Sequence, residues 1–241
     1  ITIDAICGTS MGAIVAAGIA SGWDDRELDE RMRTAFVASN PLDDIALPFV
    51  AMTRGCKVDM RLQAQFGDFA IEDLPLPFFC VSADLGAGEL VVHRSGDLPK
   101  ALRASISLPG ILPPVIVGSQ VLVDGGALLN LPTGLLRADH DGTIVAVDVS
   151  RSQGLTPDEV RRPSPLARWF FSGAWRRGPP LMSILMRSAT IAATPELRAA
   201  KEAADLYVMP EVSDIEIRNW RAFDRAVSAG DAAMTQALKE L

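Results

Sequence analysis

The stretch that opens the chain, "ITIDAICGTSMGAIVAAG" at residues 1–18, passes from β-branched and apolar residues through two glycines flanking Ser10 into a run of alanines and other small residues. That order predicts a buried strand, a tight turn, and a helix covering residues 11–20. Gly8-x-Ser10-x-Gly12 between a strand and a helix is the context of a nucleophile elbow. There the turn is too tight for side chains beside the serine. A bare Gly-x-Ser-x-Gly also arises by chance, and a serine between glycines also suits an ordinary turn or a phosphate-binding loop. Against the phosphate loop stand the lack of Gly-x-Gly-x-x-Gly, of Gly-Lys-Ser/Thr, and of any lysine near the turn. If Ser10 is the nucleophile, Met11 begins the helix whose N-terminal N–H groups face a developing oxyanion.

Further along, the same alternation of apolar strands and helices continues. Gly22 stops the first helix, and Asp24 with Glu27 forms an acidic capping box for a second one carrying Leu28, Met32, Ala35 and Phe36 up to Asn40-Pro41. Residues 43–67 predict a short helix with Leu62 and Phe66. "PFFCVSADLGAGELVVHRSG" reads as two strands about a Gly-Ala-Gly turn, and "DLPKALRASISLPG" as a helix broken at Pro109-Gly110. "PVIV" and "QVLVDGG" form a hairpin across Gly118-Ser119, "LPTGLLRA" a helix, and "GTIVAVDVS" another buried strand. A helix over 181–191, the strand "DLYVMP" and a last helix with Trp220, Phe223 and Val227 complete the chain. The pattern predicts an α/β domain, a mixed and mainly parallel sheet covered on both faces.

At 241 residues and net charge −7, the chain suits one large domain and carries no global signature of nucleic-acid binding. Three widely spaced cysteines, Cys7, Cys56 and Cys80, read as reduced core thiols of a cytosol-like compartment. With only two histidines and no ligand spacing, neither a metal nor any other cofactor is expected. No apolar run approaches the about 18 to 20 residues that span a bilayer. Because Ile1 is not an initiator and opens directly on a buried strand, the expectation is that the chain is cut from a longer one.

A serine hydroxyl needs a base, and the sequence offers three candidates. His93 near the end of "ELVVHR" suits a structural role as well as a catalytic one. His140 in "ADHDG" would complete a Ser10–Asp124–His140 order of the α/β-hydrolase kind, although its acidic neighbours suit a solvated loop. Asp124 in "VLVDGG" ends an apolar strand where Gly125 and Gly126 let another backbone approach, yet Asp-Gly pairs also cap ordinary turns.

Together, "GTSMGA" and "LVDGGALLNLP" resemble the patatin-like phospholipase family, in which serine and aspartate form a dyad without histidine. "PFFCVSADLGAGELVVHRSG", "ALRASISLPGILPPV" and "ADLYVMPEV" extend the resemblance to its bacterial branch related to neuropathy target esterase, over nearly the whole chain. The resemblance implies a three-layer αβα sandwich as a single domain over 1–241. It implies Ser10 as nucleophile and Asp124 as base, with Gly8 and Gly12 shaping the elbow and Gly125 and Gly126 the aspartate turn. Asn130 takes the family's asparagine position, while Leu129 departs from it. It also implies a glycine-rich strand-loop with further oxyanion donors, expected ahead of Ile1 and not contained in these residues. The implied reaction is hydrolysis of phospholipid or lysophospholipid esters through an acyl-enzyme. A triad esterase of soluble substrates and a non-catalytic interaction module are the alternatives.

Residues 151–180 shift to Arg, Pro, Trp and Phe, which reads as an insertion or long loop. There Arg161, Arg162, Arg168, Arg176 and Arg177 interleave with Trp169, Phe170, Phe171 and Trp175. Such interleaving suits peripheral contact with an anionic membrane, at the inner face for a cytoplasmic protein, and equally suits aromatics packed inward beneath solvated arginines.

Overall fold

A computed structural model describes residues 2–38, 41–46, 50–149, 194–213, 215 and 219–239. The expected loop over 151–180 and the helix over 181–191 lie outside these residues, as do the aromatic and arginine side chains at 161–177.

The opening stretch gives the expected order of strand, turn and helix, but its strand is shorter than expected: residues 2–5 lie outside it, and residues 2–4 are exposed, Ile3 among them. Strand β1 (Ile6–Thr9) runs through Ser10 into helix α1 (Met11–Ala20). This helix buries Ala13, Ile14, Ala16, Ala17, Gly18 and Ala20, so its small side chains let it lie close to the sheet. Helix α2 (Asp25–Met32) starts where the capping box predicts, with the Asp24 carboxylate accepting from Glu27 N at 2.7 Å. A π-turn over Arg33–Val37 follows and buries Phe36, which stacks on Trp220 with ring centroids 5.8 Å apart. Helix α3 (Cys56–Phe66) buries Val58, Leu62 and Phe66.

Strand β2 (Phe78–Asp84) is buried along its whole length and organises the main sheet. On one edge it pairs with antiparallel β3 (Glu89–His93). Its other edge is shared by two strands end to end. Parallel β1 takes the rungs from Ile6–Phe78 to Thr9–Val81. Antiparallel β5 (Gln120–Asp124) takes Asp124–Ser82 to Leu122–Asp84, so β1 and β5 point their C-terminal ends at one another. Strand β4 (Val115–Val117) completes the hairpin with β5. Parallel strands β6 (Val145–Val147) and β7 (Leu206–Val208) form a second, two-stranded sheet. Parallel pairing thus occurs at β1–β2 and β6–β7, and the antiparallel ladders are the β2–β3 and β4–β5 hairpins together with the β2–β5 pair, whose strands are not consecutive in sequence.

Alternating side chains send β1 and β2 toward two different layers. Ile6, Phe78 and Cys80 join a cluster with α1, α3 and helix α4 (Leu98–Ser105). Cys7 and Thr9 face the opposite way: the Cys7 thiol lies 3.9 Å from Pro132 O, and the Thr9 hydroxyl donates to Leu129 O at 3.1 Å. Those contacts bring helix α5 (Thr133–Asp139) to the second face, followed by α6 (Thr194–Glu202). Around them Leu131, Ala146 and Ala200 form a smaller core. Helices thus cover both faces, and helix α7 (Phe223–Ala237) comes last.

Further expectations are corrected. Strand β6 is not buried along its length: Val145 and Val147 are exposed and only Ala146 points inward, because alternate side chains face opposite sides of the two-stranded sheet. Cys56 is exposed at the start of α3, because only Val58, Leu62 and Phe66 of that helix point inward; Cys80 is buried and Cys7 partly so. Helix α4 ends at Ser105, four residues before Pro109, where the Ser107 hydroxyl donates to Arg103 O at 2.8 Å and competes with further helical pairing.

Candidate active site

The head-on meeting of β1 and β5 puts Ser10 beside Asp124. The Ser10 hydroxyl donates to Asp124 Oδ2 at 2.5 Å, across 114 residues of sequence. Ser10 has φ 56° and ψ −129°, and among the described residues no other non-glycine residue has positive φ. Such backbone costs roughly 1–3 kcal/mol and is kept where its surroundings over-determine it.

Those surroundings begin with Gly8. A Cβ there would fall 2.5 Å from both C and O of Gly12, so α1 can fold back onto β1 only over a glycine. Gly12 itself has open space where a Cβ would go. On the other strand, a Cβ at Gly125 would lie 2.5 Å from Val81 O, so the backbone after Asp124 crosses β2 at contact distance. A Cβ on Gly126 would meet Asp124 Oδ1 at 3.1 Å and Asn130 Oδ1 at 3.2 Å, which locates Asn130 against the aspartate turn.

Asp124 is 3% exposed. Its Oδ1 accepts from Gly126 N at 2.8 Å, and Oδ2 accepts from Ser10. Burial pushes its pKa up from 3.8 to about 6, with the hydrogen bonds from Ser10 and Gly126 opposing that rise. A hydroxyl held on a carboxylate of raised pKa is the pairing that general-base activation of an oxygen nucleophile requires. Met11, an exposed residue, begins α1 immediately after Ser10, where first-turn N–H groups have no partner inside the helix.

Neither histidine joins this pair. His93 Nε2 lies 2.8 Å from the Ser82 hydroxyl, and burial lowers its pKa, favouring neutral imidazole. His140 lines a cleft with Ala5, Pro77, Phe78, Arg94 and Asp139, at the beginning of β1 and β2, whereas Ser10 and Asp124 lie where β1 and β5 end. Among the described residues no cluster of three or more His, Cys, Asp or Glu is arranged to hold a metal.

The residues that sequence reasoning missed lie at the end of α4 and just beyond it. Ser105 Oγ accepts from Ser10 N at 2.9 Å, and Ser107 O accepts from Asp124 N at 3.0 Å. The signal available was the stretch "RASISLPG", which the resemblance included without giving its serines a role.

The family profile described as Patatin-like phospholipase matches residues 1–137, which hold β1 to β5, most of α5, and both Ser10 and Asp124. The chain belongs to the patatin-like phospholipase family.

Among relatives of this patatin-like chain, an uncharacterised NTE family protein of Mycobacterium tuberculosis (strain CDC 1551 / Oshkosh) is 42% identical over 99% of the chain and 42% of its own length. Lysophospholipase NTE1 of Eremothecium gossypii is 30% identical over 100% of the chain and 16% of its own length. Patatin-like phospholipase domain-containing protein 6 of Homo sapiens is 28% identical over 95% of the chain and 18% of its own length. The patatin-like chain therefore spans less than half the length of these curated relatives.

Proposed function

We propose that this domain is a carboxylic ester hydrolase acting on phospholipid or lysophospholipid esters, with Ser10 as nucleophile and Asp124 as general base. The observation that carries the reading is the 2.5 Å hydrogen bond from Ser10 Oγ to a buried carboxylate whose pKa is raised to about 6. Lipid esters as the substrate class rest on the family and on the lysophospholipase relative.

In this mechanism Ser10 Oγ attacks the ester carbonyl while its proton passes to Asp124 Oδ2. The oxygen that gains charge faces Met11 N–H at the start of α1. Asp124 returns the proton to the departing alcohol oxygen, leaving an acyl-Ser10 ester. Water then attacks that ester with Asp124 again taking the proton, and the free acid and Ser10 hydroxyl are regenerated. Gly8 and Gly125 serve by allowing the close approaches that align the pair, Gly126 by its N–H to Asp124, and Asn130 by packing against the turn. Membrane contact through Trp169, Phe170, Phe171, Trp175, Arg176 and Arg177 is part of the proposal and rests on composition alone.

The test is covalent labelling with a fluorophosphonate, with the adduct mapped by mass spectrometry. The expected adduct is on Ser10, with labelling retained in His93→Ala and His140→Ala. Loss of labelling in folded His140→Ala would favour a triad. A folded chain that takes no label would mean that the glycine-rich segment expected ahead of Ile1 is required or that Ser10 is a turn residue of a non-catalytic module, and a longer chain separates the two.

A further inference from the structure

We propose that Ser105 is a positioning residue that holds the Ser10 main chain in its reactive conformation, as half of a bracket that the Ser105–Ser107 turn places across nucleophile and base; this rests on the Ser10–Asp124 reading above. Ser105 ends α4 and is fully buried. The β1–β2 ladder stops at Thr9–Val81, so Ser10 N–H has left the sheet, and the oxygen it finds is Ser105 Oγ at 2.9 Å. That bond acts on the one described non-glycine residue with positive φ, where the backbone would relax if released.

Two residues on, Ser107 takes the other strand. Its carbonyl accepts Asp124 N at 3.0 Å, where β5 ends. The turn is itself braced, because Arg103 donates through Nη1 to Ser107 Oγ at 2.5 Å and through Nη2 to Pro113 O at 3.2 Å. The Arg103 Nε lies 2.7 Å from Asp59 Oδ1 on α3. One turn of chain thus grips the main-chain N–H of both reacting residues, by a side chain at Ser10 and by a carbonyl at Asp124. Because Ser10 N–H is already engaged, the oxyanion donors of this site begin at Met11 and exclude the nucleophile's own amide.

The experiment compares wild type, Ser105→Ala and Ser105→Thr in the full chain, using p-nitrophenyl butyrate turnover, fluorophosphonate labelling and thermal melting. Displacing a nucleophile by about 1 Å costs on the order of a hundredfold, so Ser105→Ala is expected to lose roughly ten- to a hundredfold in kcat and in labelling rate. KM should stay unchanged, since the interaction lost concerns the reacting centre and not substrate binding. Folded Ser105→Thr, which keeps the oxygen, should recover kcat. Unchanged kcat in Ser105→Ala overturns the proposal, as does a loss that only follows the unfolded fraction, or a folded Thr variant as slow as the Ala one. Should Thr not fold, the split between kcat and KM in Ser105→Ala decides alone. Absence of turnover and labelling in wild type would instead count against the Ser10–Asp124 chemistry in the chain as it starts at Ile1, and leaves the bracket itself to be judged separately. The bracket is then read by amide exchange over residues 6–13, which speeds up in Ser105→Ala if the bond holds Ser10 and is unchanged if it does not.

Discussion

Asp124 is asked to be buried and charged at once, and the two demands oppose each other. Between 3.8 and about 6 the folded protein keeps a proton on Asp124 that the unfolded chain has released. Folding stability therefore falls as pH rises through that window, by about 3 kcal/mol at most. Asp124→Asn removes this penalty and retains an oxygen for Gly126 N. It is expected to raise the urea midpoint at pH 8 and to leave it nearly unchanged at pH 4. The same substitution takes away the proposed base, so turnover should fall roughly 10²- to 10⁴-fold. In wild type, kcat/KM for an ester substrate should climb with pH through an apparent pKa near 6, where the carboxylate becomes free to accept the Ser10 proton. A profile flat from pH 5 to 8 would contradict Asp124 as the base.

The elements owe their closeness to a few glycines, and these differ in what they tolerate. At Gly8 and Gly125 an added Cβ would sit 2.5 Å from main-chain atoms, which cannot move aside as a flexible side chain would. Gly8→Ala and Gly125→Ala should each cost several kcal/mol or abolish soluble expression. Gly12→Ala meets open space inside α1 and should stabilise the protein by about 0.5–1 kcal/mol, through the better helix propensity of alanine. Denaturation midpoints for the three variants check this ordering. Both glycine-flanked motifs were evident in the sequence because strand, turn and helix signals are local. Which of their glycines is sterically required was not, since Gly125 is constrained by the Val81 carbonyl oxygen of another strand. Ser105 was hidden for the same reason: its bond to Ser10 spans 95 residues, and a buried serine at a helix end carries no local sign of its partner.

Across the chain as a unit, α/β alternation was readable from apolar periodicity, and the helix over 11–20 and the hairpins fell where turn residues placed them. The meeting of β1 with β5 was not readable, because it depends on registers along β2. Exposure of individual thiols was equally beyond composition. Burial pushes Cys7 up to about 12 and raises Cys80 as well, whereas Cys56 is exposed. A thiol-disulfide reagent at pH 8 should therefore modify Cys56 quickly in the native protein, and all three cysteines only in denaturant. Fast native modification of two thiols would show that the sheet opens around β1.

Ser10 and Asp124, the proposed nucleophile and base, are set by consecutive rungs of β2, Thr9 just before Ser10 ending one ladder at Val81 and Asp124 beginning the next at Ser82. The strand is the ruler against which both are set. Tolerance to length change should therefore be uneven. The surface turns among the 114 positions separating Ser10 from Asp124 can lengthen without disturbing the pair. A single residue inserted between Val81 and Ser82 would shift one partner by about 3.3 Å and turn it to the opposite side of the sheet.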